Sequence, residues 1–220
     1  AASPEWTDVA VTGVGYAPNP RLSLSVEAYY KRLRDLTGRE RDVGRKSQYY
    51  RVADTGTALG WELFARGRPT ARAAWAAGYT YAVSEREVDG ATYPSDFDRR
   101  HSVRLHASAD LSPSVGLSAA WRFNTGTPAT SVAFATDTSG AVTAASVGLP
   151  DGDVRTPPFH SLDVRVTKKF ELSTWGLTAY LQVTNAYARS NVQEYAYDPE
   201  ANYVRVAEHF LPITPTFGEI

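Results

Sequence analysis

Apolar and polar residues alternate one for one along seven separate stretches of this 220-residue chain. In the first, Leu22, Leu24, Val26, Ala28 and Tyr30 share one parity, with Ser23, Ser25, Glu27, Tyr29 and Lys31 on the other. The same pattern returns at Leu59–Arg66, Arg72–Tyr81, Ser102–Leu111, Val115–Asn124, Leu162–Phe170 and Gly176–Thr184. A period of two over eight or more residues is the signature of a β-strand with one apolar and one polar face. Less regular strands are expected around residues 5 to 16, about 192 to 210, and at the end of the chain, which makes nine or ten in all. No segment pairs an i, i+3, i+4, i+7 apolar stripe with an N-cap, so no helix is predicted.

The connections restrict the architecture further. Short turns at Pro18–Pro20, Gly67–Thr70, Ser112–Ser114 and Leu172–Thr174 alternate with long connections at about 38–55, 86–98, 125–158 and 186–201. Tight turns at one end and extended loops at the other belong to barrels of the bacterial outer membrane. The strands also reach the ~9–11 residues needed to cross a bilayer, against a mode of about 5–6 in soluble sheets. Trp61, Trp75, Tyr79, Tyr81, Trp121, Phe123, Phe170 and Trp175 stand near the ends of apolar runs, where aromatic girdles meet the interface. The fold class expected is therefore all-β: an antiparallel, up-and-down transmembrane β-barrel whose polar parity lines a wet lumen. Arg72, Arg104, His106, Arg122 and Arg165 are the charged candidates for that lumen face. A soluble β-sandwich with an aromatic inner face is the competing architecture.

Composition removes several functions. With 23 basic and 24 acidic side chains and a formal charge of −1, the chain has no electrostatic footprint for nucleic acid. Without cysteine there is no disulfide, no thiolate metal site and no cysteine nucleophile. His101 and His106 are five apart and so point to opposite faces of a strand, and no metal site or cofactor is expected from them. Asp96, Asp98 and His101 gather before a strand at the expected loop end. A rim-site hydrolase would place acid and base there, but no serine or second acid is singled out, and an ion-pair network of Asp98 with Arg99 and Arg100 is the preferred reading; no enzyme is expected. The connection from 38 to 55 is basic and aromatic. Its Arg39, Arg41, Arg45, Tyr49 and Tyr50 are candidate contacts for an anionic, metal-chelating ligand, through charge and stacking; the phosphates of outer-leaflet lipopolysaccharide, or solvent alone, are equal alternatives. The connection from 125 to 158 is rich in Thr, Ala and Ser and suits a cover.

Several stretches resemble the C-terminal part of a TonB-dependent outer-membrane receptor barrel. They are LSVEAYYKRLRDL from Leu24, TGTALGWEL from Thr55, YPSDFDRRHSV with its Phe-Asp-x-x-His element from Tyr93, WRFNTGTP from Trp121, and HSLDVRVTKKFEL from His160 with the Asn-rich TAYLQVTNAYARSNVQEY after it. Their order and spacing over about 200 residues carry the resemblance. It implies about 22 strands in the whole barrel, so these nine or ten are a part of it, with residues 1–220 as wall and the plug domain absent from this chain. No methionine opens the chain and LPITPTFGEI ends it without a closing aromatic residue, so it reads as a processed or excised piece. The implied activity is import of a scarce nutrient such as an iron–siderophore complex. The implied partners are the TonB energy-coupling complex acting through the missing plug, outer-membrane lipid with lipopolysaccharide, and a metal-chelate ligand. A small stand-alone outer-membrane barrel, porin or rim-site hydrolase, is the alternative.

Overall fold

The computed structural model describes residues 4–42, 47–88, 90–136, 138–140, 142–198 and 204–219. Within them the regular structure is entirely β. The wall is one antiparallel sheet in chain order: β1 (Trp6–Asn19), β2 (Leu22–Asp42), β3 (Ser47–Thr70), β4 (Ala73–Val88), β6 (His101–Ser112), β7 (Val115–Asn124), β10 (Phe159–Leu172), β11 (Trp175–Thr184) and β14 (Thr214–Glu219). A short β5 (Ala91–Pro94) adds to β4. Two further hairpins, β8 (Pro128–Thr136) with β9 (Val142–Arg155) and β12 (Val192–Asp198) with β13 (Val204–His209), stand off the sheet. β1 and β14 are its edges, so the sheet is open.

Register joins the separate alternations into two continuous faces. Residues directly opposite in an antiparallel pair point the same way. Trp61 lies opposite Ala28 and Tyr81, Leu105 opposite Ala77 and Trp121, and Trp121 opposite Leu162. One face is thus apolar from β2 to β11. The other carries Arg104 opposite Arg122, Arg122 opposite Ser161, and Arg165 opposite Ser118 and Gln182. β1 joins the same arrangement, with Tyr16 opposite Leu24 and Val14 opposite Val26 on the apolar side.

The described residues form no globular core. Leu36 is the one large aliphatic side chain buried among the described residues, while Ser95, Asp98, Ser161, Asn185 and Asn191 are buried polar ones. Leu59, Leu63, Leu105, Leu117, Val166 and Leu181 are all exposed. This inverts the usual distribution, because water is not what meets the apolar face. Aromatic rings border it: Trp61 packs against Tyr79 at 5.1 Å and Trp121 against Phe123 at 6.1 Å toward the loop end, with Trp75, Phe170 and Trp175 toward the short turns. From His160 to Phe170 on β10, ten residue-to-residue steps at about 3.4 Å each and about 45° of tilt cover about 25 Å of membrane normal, the height of the apolar band in such sheets.

Two expectations are corrected. The connection at 38–55 is not a loop over most of its length: β2 and β3 continue in register through Thr37–Val52 and Arg39–Tyr50 to Asp42–Ser47. Likewise β8–β9 fills most of 125–158, β4 and β5 take up part of 86–98, and β12 begins within 186–201. Beyond the bilayer both faces of a hairpin are wet, so the strand persists while its alternation disappears. The second correction concerns 192–210, which forms the β12–β13 hairpin and no part of the wall; β14 completes the described sheet.

The face assignment predicts an asymmetric response to charge. Ala119→Arg, on the apolar face, lowers the unfolding free energy in lipid vesicles by about 2–4 kcal/mol if it lies at mid-bilayer, whereas Ala120→Arg next to it, on the polar face, costs far less. Denaturant titration of the refolded protein measures both, and equal losses would refute the assignment.

Candidate functional site

Where the wall strands end at the loop side, their last backbone groups leave the ladder, and buried polar side chains take over. The Asp98 side chain is fully buried between β5 and β6. Its Oδ1 accepts the Ser84 N–H of β4 at 2.8 Å, and its Oδ2 accepts Arg100 Nε at 2.8 Å and an Arg155 guanidinium N–H at 2.5 Å. Arg155, the last residue of β9, also donates to the carbonyls of Asp98 at 2.8 Å and Gly126 at 3.1 Å. One carboxylate therefore ties the wall, the segment before β6, and the stem of the β8–β9 hairpin. The stem is closed by Thr156 N–H donating to Thr127 O at 2.9 Å and Thr127 N–H donating to Thr156 Oγ1 at 3.1 Å. Gly126 fits because a Cβ there would sit 1.6 Å from the Thr156 carbonyl oxygen.

Burial raises the Asp98 pKa, but the hydrogen bonds from Arg155, the Ser84 backbone and Arg100, with the Arg100 charge, outweigh it and hold the carboxyl below its ordinary value. Asp98 is thus an anionic anchor with its acceptor positions occupied. His101 is engaged elsewhere: its Nδ1 lies 2.7 Å from Tyr79 Oη, and its ring packs with Tyr81 at 5.3 Å. Asp96 is exposed. The Asp96–Asp98–His101 grouping does not assemble as a catalytic set. The ion-pair reading holds for Asp98 with Arg100, and Arg155 takes the place expected of Arg99.

A second anchor holds the β12–β13 hairpin. The Asn191 side-chain amide pairs with the His160 backbone, Oδ1 accepting its N–H at 3.0 Å and Nδ2 donating to its carbonyl at 2.9 Å, as a further strand would. Asn185, at φ 53°, reaches Arg189 by donating from Nδ2 to its carbonyl at 2.9 Å and accepting its N–H at 3.1 Å. Asparagine takes that left-handed conformation more readily than most residues. Asp163 joins this anchor to the polar face: Oδ1 accepts from Ser161 Oγ at 2.9 Å and Asn185 N–H at 3.0 Å, and Oδ2 accepts Arg122 at 2.9 Å.

Between the two anchored stems the polar face holds a cavity of about 470 Å³. Arg99, Arg104 and Arg122, with Asn124, Ser161 and Asn191, line it; Phe159 and Phe210, 5.4 Å apart and edge to face, supply apolar wall. Of the residues singled out from sequence, the structure brings Arg104 and Arg122 into this cavity. His106 shares their face lower down, beside Ala120, and Arg165 stacks its guanidinium 3.9 Å over the Tyr180 ring. Arg72 stands exposed in the β3–β4 turn, where its carbonyl accepts from Asp110 N–H at 2.7 Å and so keeps its backbone paired with the end of β6. Arg45 lies outside the described residues, as do the side chains of Arg39, Arg41, Tyr49 and Tyr50. Among the described residues no group of three or more His, Asp or Glu could hold a metal ion. Arg99, Asn191, Phe159 and Phe210 were not expected in one site, since they come from separate segments and only the register and hairpin anchoring unite them.

Comparison with known proteins gives one family. The model for the TonB-dependent receptor-like β-barrel matches residues 8–186. No curated protein sequence matches the chain. Solved structures share the fold at low identity. The copper transporter OprC superposes with a TM-score of 0.68 at 14% identity, over 100% of this chain and 32% of that one. The ferripyoverdine receptor of the Pseudomonas aeruginosa outer membrane, bound to ferripyoverdine, gives 0.62 at 12%, over 98% and 27%. The FrpB iron transporter of Neisseria meningitidis (F3-3 variant) gives 0.59 at 13%, over 99% and 30%. The chain spans less than a third of each of these structures.

The Asp98 clasp predicts a local loss with a defined pH dependence. Asp98→Asn leaves the part-exposed Arg100 and Arg155 guanidinium groups without their counter-charge and loosens the β8–β9 stem by about 1–3 kcal/mol, read as faster proteolysis between β7 and β8. A carboxyl held below its unfolded pKa stabilises above that value, about 3.9, and the contribution is lost as pH falls through the lower folded one. Protection of the stem in the native protein therefore stays constant from pH 7 to 5 and falls only in stronger acid. A decline already between pH 6 and 5 would contradict the clasp.

Proposed function

The chain belongs to the TonB-dependent receptor β-barrel family of the bacterial outer membrane, and on that premise we propose that it forms the C-terminal part of the wall of an active importer for a scarce nutrient such as an iron–siderophore complex, energised through TonB. The observation that carries the reading is the family match over residues 8–186, laid on a sheet whose apolar face is continuous across its strands and whose edges β1 and β14 are not joined. An open sheet in lipid needs partners at both edges, because unpaired backbone groups there cost several kcal/mol each. Further strands complete the wall in this reading, and a plug domain outside these 220 residues carries the coupling to TonB. The structures that share the fold are described as an iron transporter, a copper transporter and a ferripyoverdine receptor. Those cargoes support a metal or metal chelate as the nutrient.

The loop end is where cargo is met. The backbones of Arg39 and Tyr50 pair near the tip of the β2–β3 hairpin; Arg39, Arg41, Arg45, Tyr49 and Tyr50 are proposed to capture an anionic chelate there. The apolar face with its ring-bearing borders meets outer-membrane lipid, and lipopolysaccharide surrounds the hairpins on the outer leaflet. The alternative of a self-closing porin draws no support from the open edges, and a rim hydrolase none from an Asp98 whose oxygens are already occupied.

Uptake tests the reading. Cells carrying the complete receptor accumulate a radiolabelled ferric chelate under iron limitation, accumulation is abolished when either the receptor or TonB is deleted, and Arg39→Ala/Arg41→Ala/Arg45→Ala lowers it severalfold. Uptake of the whole range of ferric chelates, unchanged in the TonB deletion, would refute energised import by this protein.

A further inference from the structure

We propose that the cavity between the two hairpin stems is an anion subsite, binding carboxylate or phosphate groups of the ligand on Arg99, Arg104 and Arg122; it names a chemical class for the transport reading and rests on it. The first support is a like-charge contact written into the sheet. Arg104 and Arg122 are directly opposite in the β6–β7 register, so their Cβ atoms are about 5 Å apart, and like charges so placed destabilise a sheet. Arg122 is compensated: it donates to Asp163 at 2.9 Å and its guanidinium lies 5.9 Å from the centre of the Phe159 ring. Arg104 is not. Among the described residues the guanidinium groups of Arg104 and Arg99 have neither a hydrogen bond nor an ion pair.

The second support is that the nearby acids are already used. Asp163 accepts from Arg122, Ser161 and the Asn185 backbone; Asp98 accepts from Arg100, Arg155 and the Ser84 backbone. The cavity lining carries three guanidinium groups and neither carboxylate, imidazole nor sulfur. A bare metal cation finds charge repulsion and no donor set there. An anionic group finds forked N–H donors of fixed geometry, with Asn124 beside them and two phenyl rings to pack a ligand body. An anion spanning Arg104 and Arg122 also removes the repulsion between them.

Calorimetry on the complete receptor in detergent tests the subsite, with tricarballylate, inorganic pyrophosphate and neutral maltotriose as probes. At low salt at least one of the two anions binds, maltotriose does not, and affinity falls as salt rises. Arg99→Gln/Arg104→Gln weakens anion binding by about tenfold or more, while its heat-modifiable migration on gels shows the barrel intact. Tricarballylate alone identifies a carboxylate ligand, and pyrophosphate alone a phosphate. The proposal is overturned if neither anion binds, or if the double variant binds as tightly as the native receptor. Anion binding lost in the variant while ferric-chelate uptake is unaffected would overturn the subsite's place on the ligand and leave transport standing. Anion binding on these arginines with no uptake of any chelate would remove the transport reading and leave the site.

Discussion

Every other feature of this chain depends on one constraint: a sheet in lipid has no water to satisfy its N–H and C=O groups, so each must pair with a neighbouring strand. The ladder supplies what a hydrophobic core supplies elsewhere. Leu36 as the one large aliphatic side chain buried among the described residues is then no anomaly. Cohesion runs within the sheet, strand to strand, and the side chains on its two faces are left to match two different media. The period of two follows from that division, as does the placement of rings at the borders of the apolar band.

The same constraint explains where the polar anchors stand. At the loop end the ladder must stop, and each strand that leaves it exposes groups that a membrane interface cannot leave bare. Asp98 and Asn191 substitute side-chain oxygens and an amide for the next strand, the latter by imitating a backbone unit against His160. They fix the stems of two hairpins at either side of the arginine-lined cavity, so the shape of that cavity rests on side chains that hold backbone.

The wall was legible in the sequence because lipid and lumen impose opposite chemistry on adjacent residues; strand, turn and face could all be taken from parity alone. Above the bilayer that contrast vanishes. Residues 38–55 read as a loop because a strand that meets no lipid has no need to alternate, although the backbone pairing continues to Asp42 and Ser47. The site was half legible. Arg104 and Arg122 follow from alternation, and Asp98 from its cluster with arginines. Arg155 was hidden, since it lies 57 residues from Asp98 in a stretch with few charges and only a hairpin folding back can bring it there. Arg99 and the Phe159–Phe210 wall were hidden likewise.

The wall strands follow one another in space as they do in the chain, and this has a consequence for how such a sequence can change over time. A hairpin bounded by two short turns is a unit of circumference: gaining or losing a whole one shifts later strands around the wall without altering which residues they show to lipid. A single residue gained or lost inside a strand does the opposite, turning the rest of that strand inside out. Length variation in relatives of this chain should therefore be quantised, tolerated freely at the hairpin tips and otherwise admitted only in steps of two strands.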